Sequence, residues 1–161
     1  MSLNTWLRGL IARVLVRRGK RMAAIRLARG FSDMVGSVGE PEQSTPLVAA
    51  AHAWAAVGDE VRAEELLRLA LAAIEKGESE EEKVRFLENT LGLLVDGRLH
   101  DLALIVWRAR LDKARSAGRR DVLRTVDRGA SLIARVDGGE TLWDTFRAMA
   151  DVEAWWSSGR R

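Results

Sequence analysis

The sequence predicts an all-α protein: an α-solenoid of about four antiparallel helical hairpins, folded as a single domain over residues 1–161. Two prolines in 161 residues favour helix throughout, and 47% hydrophobic with 30% charged residues is typical of a globular protein. Gly19, Gly58 and Gly97 recur every 39 residues, and Gly138 follows 41 residues later. Each glycine separates two segments with apolar residues at helical spacing. We therefore expect a helix to end and the chain to reverse at each one.

The first predicted hairpin covers residues 4–34, and the second covers residues 45–75. In the second, Thr45 is a favourable N-cap and Pro46 suits the first helical position. After the turn at Gly58, Glu64 and Arg68 lie four residues apart on the outer helix face, as a supporting ion pair. The inner face is predicted from apolar residues at helical spacing, which are Ala63, Leu66, Leu67, Ala70, Leu71 and Ile74.

The third predicted hairpin covers residues 79–114 and opens with Ser79-Glu80-Glu81-Glu82, the pattern of a capping box. Since carboxylates also favour the positive end of a helix dipole, we interpret this acidic run as a cap and not as a metal site. The segment 102–107 is apolar on every side and could form a strand, but its helical flanks favour a helix covered by neighbours. The fourth predicted hairpin covers residues 121–156, with Thr141 as the N-cap of its second helix.

These offsets resemble the tetratricopeptide repeat family, which places small residues where two helices pack closely and Gly-Asp at the turn between them. The second hairpin carries the resemblance with Ala51, Trp54, Gly58-Asp59, Ala63, Leu67 and Ala70-Leu71. The first offers Ala12, Leu15, Gly19, Ala24, Ala28 and Phe31, and the third offers Thr90, Leu93, Gly97, Val106 and Ala109. The fourth departs from the pattern, with Trp143 where a small residue is expected. The period of 39 residues also exceeds the family's period of about 34.

The resemblance implies an adaptor or scaffold that binds a peptide or helix of a partner protein on a concave wall, formed by the first helix of each hairpin. The residues that we expect to contact the partner are Trp6, Arg13, Arg17, His52, Leu87, Leu91, Leu94, Arg128 and Arg135. An apolar centre flanked by arginines suits an acidic or amphipathic partner. Leu87, Leu91 and Leu94 have an equally good second interpretation, as core residues of a short bundle.

Charge is distributed unevenly along the chain. Residues 1–32 contain eight basic and no acidic side chains, whereas residues 33–161 contain 18 basic and 23 acidic ones. This pattern favours contact with nucleic acid, anionic lipid or an acidic protein, or neutralisation of the protein's own acidic body or of a second copy. Our alternative function is therefore a nucleic-acid-binding helical protein that uses the basic N-terminal hairpin. Against it, no recognition-helix motif stands out, and the aromatic residues do not alternate with the basic ones as stacking platforms.

We expect no enzymatic activity, no catalytic residue, no cofactor and no metal, because the sequence offers no convergent set of reactive groups. Cysteine is absent, and His52 and His100 lie on different predicted hairpins without metal-ligand spacing. No transmembrane segment is predicted, and the cytoplasm is the expected compartment. Trp155 and Trp156, at the end of the last predicted helix, could mediate self-association.

Overall fold

A computed structural model of the chain describes residues 3–35, 43–77, 79–133, 147, 150 and 151. Across these residues the chain is helical and contains no strand. The helices are α1 (Leu3–Arg17), α2 (Arg21–Val35), α3 (Ser44–Val57), α4 (Glu60–Gly77), α5 (Glu80–Asp96), α6 (His100–Ala117) and α7 (Arg119–Ile133). The predicted all-α class is confirmed for this part of the chain. The apolar segment 102–107 lies inside α6, so its interpretation as a helix is also confirmed.

Most helices that follow one another in the chain pack together, with α4 and α5 as the exception. α1 and α2 both pack on α3, α3 pairs with α4, and α6 lies between α5 and α7. Contacts from α4 to α5 and α6 are much less extensive. The helices α1–α4 therefore form one closely packed group and α5–α7 a second, with a looser junction between α4 and α6.

The predicted hairpin boundaries are close to those of the structure for α1–α2, α3–α4 and α5–α6. α7 corresponds to the first helix of the fourth predicted hairpin. The second helix of that hairpin, predicted over residues 141–156, lies almost entirely outside the described residues, as do Gly138 and Thr141.

Of the two predicted helix caps described, one is present in the structure and the other is not. The Ser79 hydroxyl accepts a hydrogen bond from the backbone N–H of Glu82, whose carboxylate accepts one from the Ser79 N–H, which confirms the capping box. Thr45 is not an N-cap, because α3 already begins at Ser44. Pro46 nevertheless lies in the first helical turn, where its missing N–H costs no intrahelical hydrogen bond.

The turns that close the first three hairpins share one hydrogen bond, from a backbone N–H to the carbonyl five residues earlier. The pairs are Lys20 to Leu15 at 2.8 Å, Asp59 to Trp54 at 3.0 Å and Leu99 to Leu94 at 2.9 Å. This bond is typical of the Schellman motif, in which one residue adopts a left-handed conformation. Gly19 and Gly58 occupy that position with φ values of 73° and 87°. The reversals predicted at these glycines are therefore confirmed.

The third turn uses a different residue for the left-handed position. Arg98 has a φ of 56°, whereas Gly97 has a right-handed helical φ of −70°. Gly97 is required for another reason: a Cβ atom there would lie 2.9 Å from His52 Nε2 and 3.1 Å from the Leu93 carbonyl oxygen. The end of α5 therefore approaches the side chain of His52 in α3 so closely that only glycine fits without displacement.

A second close approach joins α6 to α7. The Trp107 side chain in α6 is fully buried, and a Cβ atom added to Gly129 in α7 would overlap its indole Nε1. A buried arginine of α6 also contacts α7 and α5. The Arg110 guanidinium, 3% exposed, lies 3.3 Å from an Asp121 carboxylate oxygen in α7 and 3.6 Å from one of Glu88 in α5.

The contact between Gly129 and Trp107 predicts opposite effects for two glycine-to-alanine substitutions. Gly129→Ala is expected to lower the free energy of unfolding by about 1–3 kcal/mol, because its methyl group overpacks a filled site. Gly92→Ala, in the middle of α5, is the matched control. No atom lies within 4 Å of a Cβ there, so the better helix former should stabilise the protein by about 0.5–1 kcal/mol. Urea unfolding of both variants measures the difference, and equal effects would contradict the packing described.

The junction at Gly97 predicts an energetic coupling to His52. Gly97→Ala is expected to cost about 1–3 kcal/mol in the wild-type background. It should cost less in a His52→Ala background, where the space next to residue 97 is free. A double-mutant cycle followed by urea denaturation measures this coupling, and strictly additive effects would show that the two residues do not interact.

Candidate partner-binding cleft

A cleft of about 360 Å³ lies between α4 and α6, at the loose junction of the second and third hairpins. Its volume is at the lower end of the range of about 300–1,000 Å³ found for small-ligand sites. The lining residues come from the end of α3, one face of α4, the turn after α5 and the first half of α6. They are Ala55, Glu60, Glu64, Arg68, Arg98, Leu99, His100, Asp101, Leu102, Leu104, Ile105 and Arg108.

The α4 wall of the cleft is charged. Glu60, Glu64 and Arg68 follow one another at four-residue intervals, so they share one face of the helix. The Arg68 guanidinium binds one oxygen of Glu64 through Nη2 at 2.7 Å and Nε at 2.9 Å, which confirms the predicted pair. Both side chains remain largely exposed, at 64% and 46%. Exposed pairs of this kind contribute little to stability, so these groups can exchange partners when a ligand arrives.

The α6 wall combines apolar and charged side chains. Leu104 and Ile105 are half-buried, while Leu102 beside them is buried. Asp101 and Arg108 lie on the same stretch of helix and line the cleft. The site therefore combines apolar side chains with charged side chains of both signs, the mixed composition found in protein interfaces.

Arg98 enters the cleft from the turn between α5 and α6. It is the non-glycine residue with a positive φ among those described, and it lines the cleft. A left-handed backbone conformation is unfavourable for a residue with a Cβ atom, by roughly 1–2 kcal/mol. Glycine would relieve this cost at position 98, but it would also remove the guanidinium from the cleft. Unfavourable backbone geometry that lines a cleft is a feature of functional sites.

An ion-pair cluster joins the helices of the same junction. It consists of two carboxylates and two amines, Glu75 of α4, Glu80 and Lys83 of α5 and Lys113 of α6. Lys113 Nζ lies 3.0 Å from an oxygen of Glu75 and 3.0 Å from one of Glu80, and Lys83 Nζ lies 3.0 Å from Glu80 and 3.4 Å from Glu75. The lysines are mostly buried, with side chains 11% and 18% exposed. The cluster therefore ties α4 to α5 and α6.

The pKa values of the cluster are shifted toward the charged forms. Hydrogen bonds from Lys83 and then Lys113 hold the pKa of Glu80 below its ordinary value. A hydrogen bond to Glu80 raises the pKa of Lys83. Burial acts to lower the pKa of Lys113, but its hydrogen bonds to Glu75 and Glu80 outweigh burial, and the pKa is raised.

The structure separates the residues that were predicted to form one concave binding face. Leu87 and Leu94 are 1% and 0% exposed and belong to the core, and Leu91 is half-buried against it. Of the two interpretations of these leucines, the core placement is therefore the one that the structure shows. His52, predicted on the same face, is only 3% exposed because it packs against Gly97. These buried side chains are not accessible to a partner.

The remaining predicted contact residues lie elsewhere. Arg13 is half-buried and Arg17 exposed, both in α1. Trp6 lies in α1 and Arg128 in α7, but their side chains are outside the described part of the structure. Arg135, Trp155 and Trp156 lie outside the described residues altogether.

Sequence reasoning missed the α4–α6 cleft. Glu64 and Arg68 were recognised only as a supporting pair on an outer helix face. The spacing of Glu60, Glu64 and Arg68 marks a charged face of α4, but no local pattern indicates that α6 lies opposite it. That placement depends on how two hairpins meet.

The described helices lack two further classes of feature, a metal-binding cluster and a membrane span. No group of three or more His, Asp or Glu side chains is placed to hold a metal ion in this part of the molecule. None of the described helices combines the length and apolar character needed to cross a bilayer.

Comparison with known proteins yields no relative: no family model matches the chain, and neither a curated protein nor a solved structure matches it. The similarity to tetratricopeptide repeats therefore depends on the residues and turns described above.

The shifted pKa values predict how pH acts on the junction. Because the pKa of Glu80 is lowered on folding, its stabilising effect is complete above the ordinary glutamate value of 4.5 and is lost as pH falls below that value. For Lys83 and Lys113, whose pKa values are raised, the effect is complete below the ordinary lysine value of 10.5 and is lost as pH rises above it. Glu80→Gln should therefore destabilise the protein at neutral pH but much less in acid.

Urea unfolding of wild type and Glu80→Gln, from neutral pH to about pH 3, measures this convergence. Glu81→Gln is a matched control in the same helical turn, because Glu81 pairs only with Arg85 in an exposed contact of 3.4 Å. A constant difference between wild type and Glu80→Gln across the whole range would contradict the role of the cluster.

Proposed function

We propose that this chain is a helical-hairpin repeat protein, similar in arrangement to tetratricopeptide repeats, that acts as an adaptor by binding a short segment of a partner protein in the α4–α6 cleft. The observation that carries the proposal is a cleft lined by apolar side chains together with charged side chains of both signs. The three equivalent hairpin turns support the repeat arrangement. The binding surface lies between the second helices of adjacent hairpins, not on the first helices as the family resemblance implied.

The chemistry of the cleft suits an amphipathic segment with charges of both signs. One or two apolar side chains of the partner would cover Leu104 and Ile105, which are half-buried. A basic residue of the partner would meet Glu60, and a carboxylate would meet Arg98. Apolar contact would supply most of the affinity, while the charges would set the orientation of the segment.

Arg98 is the residue at which this proposal predicts opposite effects on partner binding and on the stability of the fold. Its left-handed backbone conformation is unfavourable, so a purely structural turn would be served better by glycine. A contact between the guanidinium and the partner would explain why an arginine occupies this position. This interpretation makes Arg98→Gly an informative variant, because stability and binding should change in opposite directions.

Arg98→Gly is expected to stabilise the protein by about 0.5–1 kcal/mol, because it relieves the left-handed conformation at a residue with a Cβ atom. It should weaken the binding of peptides selected on wild type from a random display library by about tenfold, equivalent to ~1.4 kcal/mol. Urea unfolding measures the stability, and fluorescence anisotropy with labelled peptides measures the affinity. Leu104→Gln tests the contribution of the apolar lining residues by the same binding assay.

Arg85→Gln is the control for loss of a positive charge, because Arg85 is an exposed residue of α5 that does not line the cleft. It should leave the affinity unchanged. Selected peptides that bind Arg98→Gly and Leu104→Gln as tightly as wild type would exclude the cleft as the binding site.

A further inference from the structure

The outward face of the first hairpin carries a second surface that the cleft does not use. We define this N-terminal basic face by Ile11, Val14 and Arg17 of α1, Arg18 of the turn that follows α1, and Met22 and Arg26 of α2. All six are exposed. The opposite side of each helix packs into the core through buried alanines, Ala12 in α1 and Ala24 in α2.

Aliphatic and basic side chains are interleaved on this face. Ile11 and Val14 are 42% and 41% exposed. Arg18 follows four residues after Val14, in the turn that closes α1, and is also exposed. On α2, Met22 is 67% exposed and Arg26 lies four residues later. The face is therefore amphipathic, with aliphatic and basic side chains both open to solvent.

The N-terminal basic face lies in a segment of the chain that has no acidic residue. Residues 1–32 contain eight basic and no acidic side chains, and Asp33 is the first acidic residue of the sequence. Within the described ranges Arg17, Arg18 and Arg26 have no ion-pair partner. The described acidic residues therefore leave these arginines available, and the face presents a positive potential to solvent.

We infer that the N-terminal basic face binds the surface of a bilayer that contains anionic lipids. Lipid phosphates and carboxylates complement the unpaired arginines, and Ile11, Val14 and Met22 can enter the apolar part of the interface. Both features are needed to explain the face, because arginines alone would bind any polyanion. A nucleic-acid backbone offers nothing to exposed aliphatic side chains, and no described aromatic side chain lies among them to stack on bases.

This surface is independent of the proposed function, since it lies on α1 and α2 and the cleft lies between α4 and α6. Attachment through the first hairpin leaves the residues that line the cleft free. The chain could then hold a partner segment at a membrane surface.

Sedimentation with large unilamellar vesicles tests the inference. Wild type should bind phosphatidylcholine vesicles that contain about one third phosphatidylserine, and not pure phosphatidylcholine, with affinity falling as salt rises. Replacing both Arg17 and Arg18 by Gln should weaken binding roughly 10- to 30-fold, at about 1 kcal/mol for each basic residue near the surface. Replacing both Ile11 and Val14 by Asn should weaken it about tenfold by removing the inserted aliphatic groups.

The control replaces Val61 and Leu69 by Asn. These α4 residues are 72% and 56% exposed but lie outside the N-terminal basic face, so the change should leave vesicle binding unaltered. Circular dichroism confirms that each variant is folded. Equal loss in the control, or binding to pure phosphatidylcholine, would overturn the inference.

Two parallel measurements distinguish the other possible occupants of the face. The first is binding to random-sequence duplex DNA at the same phosphate concentration. DNA binding that is insensitive to the Ile11 and Val14 changes, without vesicle binding, would assign the face to nucleic acid. The second is sedimentation velocity, and a dimer that those changes dissociate, again without vesicle binding, would assign it to a second copy. Either result overturns the lipid assignment.

Discussion

The close approach of α3 to the end of α5 is the constraint on which the junction of the molecule depends. The His52 ring occupies the space where a side chain at position 97 would begin, so this position requires a residue without a Cβ atom. Gly97 itself has a right-handed helical φ of −70°, and the left-handed conformation that reverses the chain into α6 falls on the next residue, Arg98. The glycine of the third turn thus serves the contact with α3, while the arginine after it carries the unfavourable conformation and lines the cleft.

The cleft exists because the two groups of helices are joined through side chains more than through close helix packing. Within α1–α3, alanines at positions 12, 24, 28, 50 and 51 are fully buried, which allows helices to lie close together. Between α4 and α6, by contrast, the link includes the long side chains of Glu75 and Lys113. Long bridging side chains hold helices together while leaving a gap beside them. The cleft between α4 and α6 is such a gap.

The two surfaces discussed above differ in the kind of recognition that they can provide. The cleft is concave, of limited volume and lined by both signs of charge, so it can select a segment by shape and by charge order. The N-terminal basic face is an exposed helix surface with one sign of charge, which favours extended, repetitive anionic surfaces over a unique peptide. A chain with both could combine a specific contact with a general one.

The sequence by itself determined the helices and their reversals, because both depend on local patterns. Apolar spacing located α1 to α7 within a few residues, and Gly19, Gly58 and the Ser79 capping box marked turns and starts that the structure confirms. The pair between Glu64 and Arg68 was also predictable, since four-residue spacing on one helix brings the two side chains together.

Only the tertiary structure decided which faces are buried and where a ligand could bind. Leu87 and Leu94 fitted a groove and a core equally well by periodicity, and packing of neighbouring helices placed them in the core. His52 is buried beside Gly97, which lies 45 positions later in the chain, and the left-handed conformation of the third turn falls on Arg98 and not on the glycine before it. No local pattern reports either fact. The cleft is a property of two helices that meet across a junction. Its residues are scattered from Ala55 to Arg108, and the relation between them appears only when the hairpins are assembled.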